Sequence, residues 1–237
     1  MEKYDKNSSI SYALGTTITF ELLKRKPIVA KRIYISPKQK RDDTYNEIIR
    51  LAKEHKLPVI ENNEKIFKAL SEKDNCMVIG EFDKFENELD PLKNHIVLVN
   101  PSNKGNLGTI IRSAAAFEIG GVAIIKPAAD IFDPKCIRST MGAIFSTPFH
   151  YYSSFEEYEQ KNSARHFYPF MLQAKTKLGE EKREYPYSLI FGNEATGLDI
   201  SYLQKGTALK IPQSSSIDSL NLDNAVSIGL FAFRNSK

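Results

Sequence analysis

A two-part α/β fold is the architecture this sequence predicts. Short apolar strand runs alternate with stretches of helical period, a glycine-rich turn near residue 105 joins such a strand to a helix, and a polar stretch containing Pro91 divides the chain near residue 90. The 237 residues are 41% hydrophobic and 26% charged, a globular balance that gives no reason to expect disorder or fibre. A chain of this length can bury roughly 70% of its unfolded surface, so it needs no disulfide or metal staple.

Taken in order, Ile18 to Leu23 reads as a helix ending near Pro27, and Ile33 to Ile35 as a short strand. Tyr45, Ile48, Ile49, Leu51 and Ala52 carry a helical period; Leu57 to Ile60, a helix around Ile66 to Leu70 and a strand Cys76 to Gly80 follow. Strands alternating with helices predict a small α/β domain over 1–90 with a largely parallel sheet. Residues 83–94, DKFENELDPLKN, have no apolar period and read as a linker. The second part, 91–237, opens with the strand Ile96 to Val99, a helix from Leu107 to Phe117 and a strand Val122 to Ile125. Further strands are expected at Phe167 to Leu172, Ser188 to Phe191 and Ala208 to Ile211. The last helix, Asp223 to Phe233, is apolar nearly all round and is expected to be buried, with a subunit interface as one way of covering it.

The stretch from Thr109 to Ile125 is broken by Arg112 and Glu118 and falls short of the ~20 apolar residues of a membrane helix. The start, Met1-Glu-Lys-Tyr-Asp-Lys, lacks a signal-peptide core, so a soluble, cytoplasmic protein is expected. Cys76 and Cys136 are sixty positions apart, with no Cys-x-x-Cys pair and no histidine close by, and the four histidines are scattered singly. No metal site is expected from these spacings.

Net charge is only +4, with 17 basic and 16 acidic residues in 1–90 and 16 and 13 in 91–237. Between Lys24 and Arg41, however, stand eight basic residues and no acidic one. Lys24, Arg25, Lys26, Lys40 and Arg41 are therefore candidate RNA contacts, against the plain reading of a solvated face.

Three loops follow strands. The first, Asn100-Pro-Ser-Asn-Lys-Gly-Asn-Leu-Gly, enters a helix in which Arg112 stands among Thr109, Ile110, Ile111 and three alanines. It is neither GxxxxGK[ST] nor GxGxxG. The second, Phe191-Gly-Asn-Glu-Ala-Thr-Gly-Leu, brackets Glu194 between two glycines that allow close backbone approach to a ligand, though an ordinary β-to-α turn also explains it. The third runs from Ile211-Pro212 to Ser219-Leu-Asn-Leu and leads into the final helix, where its small polar residues could be helix caps alone.

In order, Asn106-x-Gly108-x-x-x-Arg112, Phe191-Gly-Asn-Glu-x-x-Gly-Leu198 and Ile211-Pro…Ser219-Leu-Asn-Leu-x-x-Ala225 closely resemble the three motifs of SPOUT-class RNA methyltransferases, in the SpoU branch of ribose 2′-O-methyltransferases. Arg138-Ser-Thr-Met-Gly-Ala-Ile-Phe resembles a further segment of that branch, and the first ninety residues more loosely resemble the small α/β RNA-binding domain many members carry. Asn100-Pro101 lies further from Asn106 than in the family, so the first loop is longer here. The resemblance implies a C-terminal parallel-sheet domain with a deep trefoil knot, a homodimer, and S-adenosylmethionine as methyl donor. It places cofactor contacts on Gly192, Asn193, Gly197, Ile211, Pro212 and Leu220.

A ribose 2′-hydroxyl is a weak acid, so its attack on a sulfonium methyl needs a base or a charge that stabilises the forming alkoxide. No His or Cys lies in the motifs, which leaves Arg112, Asn106, Glu194, Ser219 and Asn221 as the catalytic candidates. Arginine stays protonated, so Arg112 reads as a phosphate clamp and oxyanion partner, with Asn106 and Ser219 aligning the ribose and Asn221 fixing the third loop. Ribosomal RNA is the favoured substrate, with transfer RNA as the alternative. A non-catalytic RNA binder of the same fold and another type of nucleotide-binding enzyme are the competing classes.

Overall fold

The computed structural model describes residues 4–61, 63–71, 75–214 and 216–234. The chain divides into two compact units, 1–85 with 130–146, and 86–129 with 147–237.

The first unit carries β1 (Ile10–Leu14), α1 (Thr16–Arg25), β2 (Ala30–Ile35), α2 (Asp43–Glu54), β3 (Val59–Glu61), α3 (Glu64–Leu70) and β4 (Val78–Asp83). Helix α2 shows how such elements are specified. Asp42 accepts the Tyr45 N–H at 2.9 Å as N-cap, and Ile48, Leu51 and Ala52 bury one stripe while Arg50 pairs with Glu47 and Glu54 on the outside. The sheet order is β1-β4-β2-β3. Strand β4 runs antiparallel to both neighbours and only β2 and β3 are parallel, which corrects the expected largely parallel sheet. Both antiparallel pairings run through β4, and one partner is β1, whose Ile10-Ser-Tyr-Ala-Leu alternates half-buried and buried residues too briefly to stand out. Residues 130–146 close this unit. Helix α5 (Pro134–Ser139) starts on Pro134 with Asp133 as its cap, and Phe132 and Phe145 join Phe82 and Phe85 in a ring cluster, Phe145 meeting Phe82 edge-on at 5.3 Å.

The second unit is a five-stranded, all-parallel sheet in the order β7-β6-β5-β10-β8. Its elements are β5 (His95–Val99), α4 (Lys104–Ala116), β6 (Gly121–Ile125), β7 (Phe149–Tyr152), α6 (Phe155–Lys161), β8 (His166–Pro169), β9 (Thr176–Lys177), β10 (Tyr187–Phe191), β11 (Leu209–Lys210) and α7 (Leu222–Arg234). Strands β5, β6 and β10 are buried along almost their whole length because the sheet is covered on both faces, and His95 and Ser188 are the polar side chains among them. Helix α7 buries one face within the chain, through Val226, Leu230 and Phe233, while Phe231 is 60% exposed and Ile228 also reaches the surface. Ser227 Oγ and Ser113 Oγ, 3.0 Å apart, pin α7 to α4. Among the described residues no helix is long and apolar enough to cross a membrane.

The stretch read as a linker holds no helix or strand over 84–94 but is anchored by its packing and backbone. Phe85 belongs to the first unit's ring cluster, Leu89 is buried in the second unit's core, and the carbonyls of Asp90 and Pro91 are held by His95 Nε2 (3.0 Å) and Arg165 (2.7 Å). A carbonyl only accepts, so Nε2 carries the hydrogen and Nδ1 accepts from the Tyr158 hydroxyl at 2.9 Å. That hydroxyl in turn meets Ser188 Oγ (2.7 Å) and Arg165 (3.3 Å). Burial first, and the Arg165 charge second, push the His95 pKa down to about 3.

His95 therefore stays neutral in the folded chain while its unfolded counterpart takes up a proton below about pH 6.5, so this residue's contribution to stability is lost as pH falls from there towards about 3. From pH 7 to pH 5 the loss attributable to His95 should be about 2 kcal/mol. Urea unfolding of the unaltered chain and of His95→Gln at both pH values checks this: the variant's stability should fall less between them, and parallel profiles would refute the assignment.

Candidate active site

In the second unit the chain turns in opposite directions from β5: β6 and β7 lie on one side, β10 and β8 on the other. Such a reversal opens a crevice at the carboxyl ends of the two central strands, where open α/β sheets bind ligands. The loops leaving β5 (100–103) and β10 (192–198) meet there, joined by residues 170–173 after β8 and by the stretch after β11.

A cavity of about 250 Å³ lies between the last three. Gly192, Asn193, Glu194 and Gly197 line it from the second loop, Ile211, Gln213, Ser219 and Leu220 from the third, and Phe170 and Phe191 stack at 4.4 Å as an apolar wall. Position 192 admits no side chain, since a Cβ would come within 2.2 Å of the Gly197 carbonyl carbon. The second loop closes on itself there, with the Gly197 N–H donating to the Asn193 carbonyl at 2.9 Å. The Asn193 side chain serves this scaffold: its amide donates to the Asn100 carbonyl at 2.7 Å and its oxygen accepts the Ala195 N–H at 2.8 Å.

Glu194 ties the second loop to the first. Its carboxylate accepts from the N–H of Ser102 (3.0 Å), the hydroxyl of Ser102 (2.8 Å), the N–H of Asn103 (3.1 Å) and the side-chain amide of Asn106 (3.4 Å). Burial alone would push its pKa up, but these donors outweigh burial and hold it below the usual carboxylate range. A carboxylate so engaged is a weak base and a strong fastener. Asn103 then caps α4, accepting from Gly105 and Asn106 at 2.8 and 3.1 Å.

The remaining candidates lie outside the cavity lining. Arg112 is exposed on α4, two turns beyond its N-terminus, and Asn106 is half-buried in the first turn. Asn221 is exposed, and its carbonyl opens the α7 ladder by accepting from Ala225 at 3.0 Å. Pro212 is exposed beside Ile211. Sequence reasoning missed Phe170, Met171 and Gln213 as lining residues. The first two follow β8, so the rule that ligands gather at carboxyl ends of strands was the signal that could have found them. Among the described residues, no group of three or more His, Cys, Asp or Glu side chains comes together to hold a metal ion.

The basic run lies in the first unit, and the fold supplies acids the local sequence lacks. Arg25 pairs with Glu21, Lys31 with Asp83 at 3.2 Å and Arg32 with Glu81 at 3.0 Å. Lys24, Lys26 and Arg41 lie instead over the rings of Phe20, Phe85 and Tyr45, and Lys40 is exposed. Among the described residues, Arg25 is the one of the five RNA-contact candidates that forms an ion pair.

The chain belongs to the SpoU rRNA Methylase family, which residues 93–231 match, and residues 12–87 match the RNA 2′-O ribose methyltransferase substrate binding family. It is 31% identical over 144 residues to the 23S rRNA (uridine(2479)-2′-O)-methyltransferase of Streptomyces viridochromogenes, a match covering 57% of this chain and 50% of that protein. It is 32% identical over 143 residues to a putative tRNA (cytidine(34)-2′-O)-methyltransferase of Listeria monocytogenes, covering 58% and 84%. The fold matches a solved AdoMet-bound rRNA methyltransferase from Sinorhizobium meliloti with a TM-score of 0.82 at 23% identity, covering 95% of this chain and 87% of that one.

If Glu194 fastens the first loop, Glu194→Ala should free the amides of Ser102 and Asn103, because it removes the carboxylate that accepts from both. Their hydrogen exchange should quicken by about tenfold or more, as expected for losing bonds to a charged acceptor. Unchanged exchange would show that the loop is held by other contacts.

Proposed function

We propose that this chain transfers a methyl group from S-adenosylmethionine to a ribose 2′-hydroxyl of RNA, with ribosomal RNA the favoured substrate. The observation that carries this reading is the Glu194 clamp, which locks the loop leading to Arg112 against the loop that lines the cavity.

The cavity fits such a donor. Gly192 closes a cradle that a Cβ would fill, so backbone groups rather than side chains face the ligand. Phe170, Phe191, Ile211 and Leu220 offer apolar surface to a purine ring. Gly192, Gly197, Ile211 and Leu220 would hold the donor, while Asn193 shapes the loop beneath it. When bound, the donor supplies an electrophilic methyl carbon on a sulfonium.

The chain's own residues supply positioning and charge. Arg112 is an exposed guanidinium whose planar fork suits it to clamp a substrate phosphate and stabilise the alkoxide as it forms. Ser219, at the cavity, and Asn106, held through Glu194, can align the ribose by hydrogen bonds. Glu194 is a positioning residue in this scheme, since its acceptor capacity is spent on the first loop. Asn221 fixes the start of α7. With no His or Cys among these groups, the hydroxyl proton passes to water.

The first unit supports RNA recognition through Lys24, Lys26, Lys40 and Arg41, of which three lie over aromatic rings and Lys40 is exposed. The exposed Ile228 and Phe231 on α7 suit burial against a second copy, in keeping with a homodimer. A knotted C-terminal threading belongs to the same proposal.

Arg112→Ala should leave S-adenosylmethionine affinity within about threefold and lower the methylation rate by about 100-fold, comparable to losing an oxyanion donor. Arg112→Lys should restore little, because an ammonium cannot reproduce the planar fork. Transfer is read from labelled methyl groups and its position from alkali resistance of the adjacent phosphodiester. Near-normal turnover in the Ala variant would move the chemistry to another residue, and no transfer by the unaltered chain would favour a non-catalytic RNA binder.

A further inference from the structure

In the first unit, residues 138–142 form a turn that holds a large apolar side chain out into solvent. Among the described residues, four that are not glycine have positive φ: Lys56, Asn100, Glu118 and Met141. The first three are polar. Met141, at φ 51°, is apolar and 47% exposed. A residue with a Cβ pays about 1 kcal/mol or more for this left-handed conformation, and a side chain left 47% exposed recovers only part of that by burial. Glycine would serve a purely structural turn better.

The turn is held from both sides, so it cannot relax. Thr140 is fully buried; its hydroxyl donates to the Ile137 carbonyl at 2.7 Å and accepts from the Gly142 N–H at 3.2 Å. The Met141 N–H donates to the Arg138 carbonyl at 3.2 Å, and the Ala143 N–H to the Thr140 carbonyl at 3.0 Å. Gly142, at φ 90°, packs on α1 so closely that a Cβ would lie 2.5 Å from the Glu21 Cβ. On the helix leading into the turn, Lys135 and Arg138 are one turn apart and both exposed. Met141 thus stands rigidly at the end of an edge that carries two cations.

We propose that Met141 is an RNA contact: its thioether packs on the face of an unstacked base while Arg138 takes the adjoining phosphate. Methionine suits this because its sulfur is polarizable and favours aromatic faces, and apolar side chains of this kind are used as wedges against nucleic-acid bases. Holding the backbone of the turn fixed before binding lowers the ordering cost of the contact. Such a contact acts equally on bound substrate and transition state, so it governs KM and leaves kcat alone.

The inference rests on the RNA methyltransferase reading above, and the test separates the two. Initial rates are measured with labelled S-adenosylmethionine and total RNA from cells lacking this gene, for the full chain and for Met141→Gly and Met141→Leu. Met141→Gly relieves the backbone, so its Tm should equal or exceed that of the unaltered chain. Its KM for RNA should rise about tenfold with kcat within about twofold, in line with the loss of one base contact. Met141→Leu, which keeps the apolar bulk, should stay within about threefold of the original KM. An unaltered KM in a stable Met141→Gly chain overturns this assignment alone. No transfer by the unaltered chain to any RNA overturns the reading it rests on, and this assignment with it.

Discussion

The candidate site depends on how one carboxylate is satisfied. Glu194, half-buried at the end of β10, must find donors to replace the water it loses, and Ser102, Asn103 and Asn106 provide them from a loop about ninety residues earlier in the chain. The clamp fixes the register between the β5 and β10 loops. It also brings the start of α4, and with it Arg112, into a set relation with the cavity at residues 192–197. The longer first loop now has a physical account. Two of its extra residues, Ser102 and Asn103, donate to the carboxylate, and Asn103 also caps the helix.

Much of this was legible because the second unit speaks in strong local patterns. Strands β5, β6 and β10 carry the apolar runs Ile96 to Val99, Val122 to Ile125 and Leu189 to Phe191, as a buried parallel sheet requires. Gly192 and Gly197 could be singled out because a loop that closes on itself needs them. Where the pattern was weak, the reading was weak. Strand β1 is five residues of mild alternation, and β9 and β11 are two residues each, held by pairing rather than by propensity. Phe170 and Met171 have no motif of their own, and their place in the cavity follows only from where β8 ends.

Charge was the least legible feature. The run from Lys24 to Arg41 has no acid within it, yet Glu21, Glu81 and Asp83 neutralise three of its members from α1 and β4. Pairing across a sheet is a property of register, which a linear charge count cannot express. The polar stretch around residue 90 hides its anchors for a related reason: they are backbone carbonyls held by His95 and Arg165, and any sequence presents carbonyls. Residues 130–146 add a third case, since they pack with the first unit although they fall inside the family match that begins at residue 93.

The central claim is that the cavity beside Gly192 holds the methyl donor through close backbone contact, and calorimetric titration of S-adenosylmethionine into the full chain and into Gly192→Ala tests it most directly. The account predicts saturable binding by the unaltered chain and at least about a hundredfold weaker binding by the variant, because a methyl group at 192 would collide with the Gly197 carbonyl and open the loop. Absence of heat with the unaltered chain, or equal affinity in a folded variant, would contradict it.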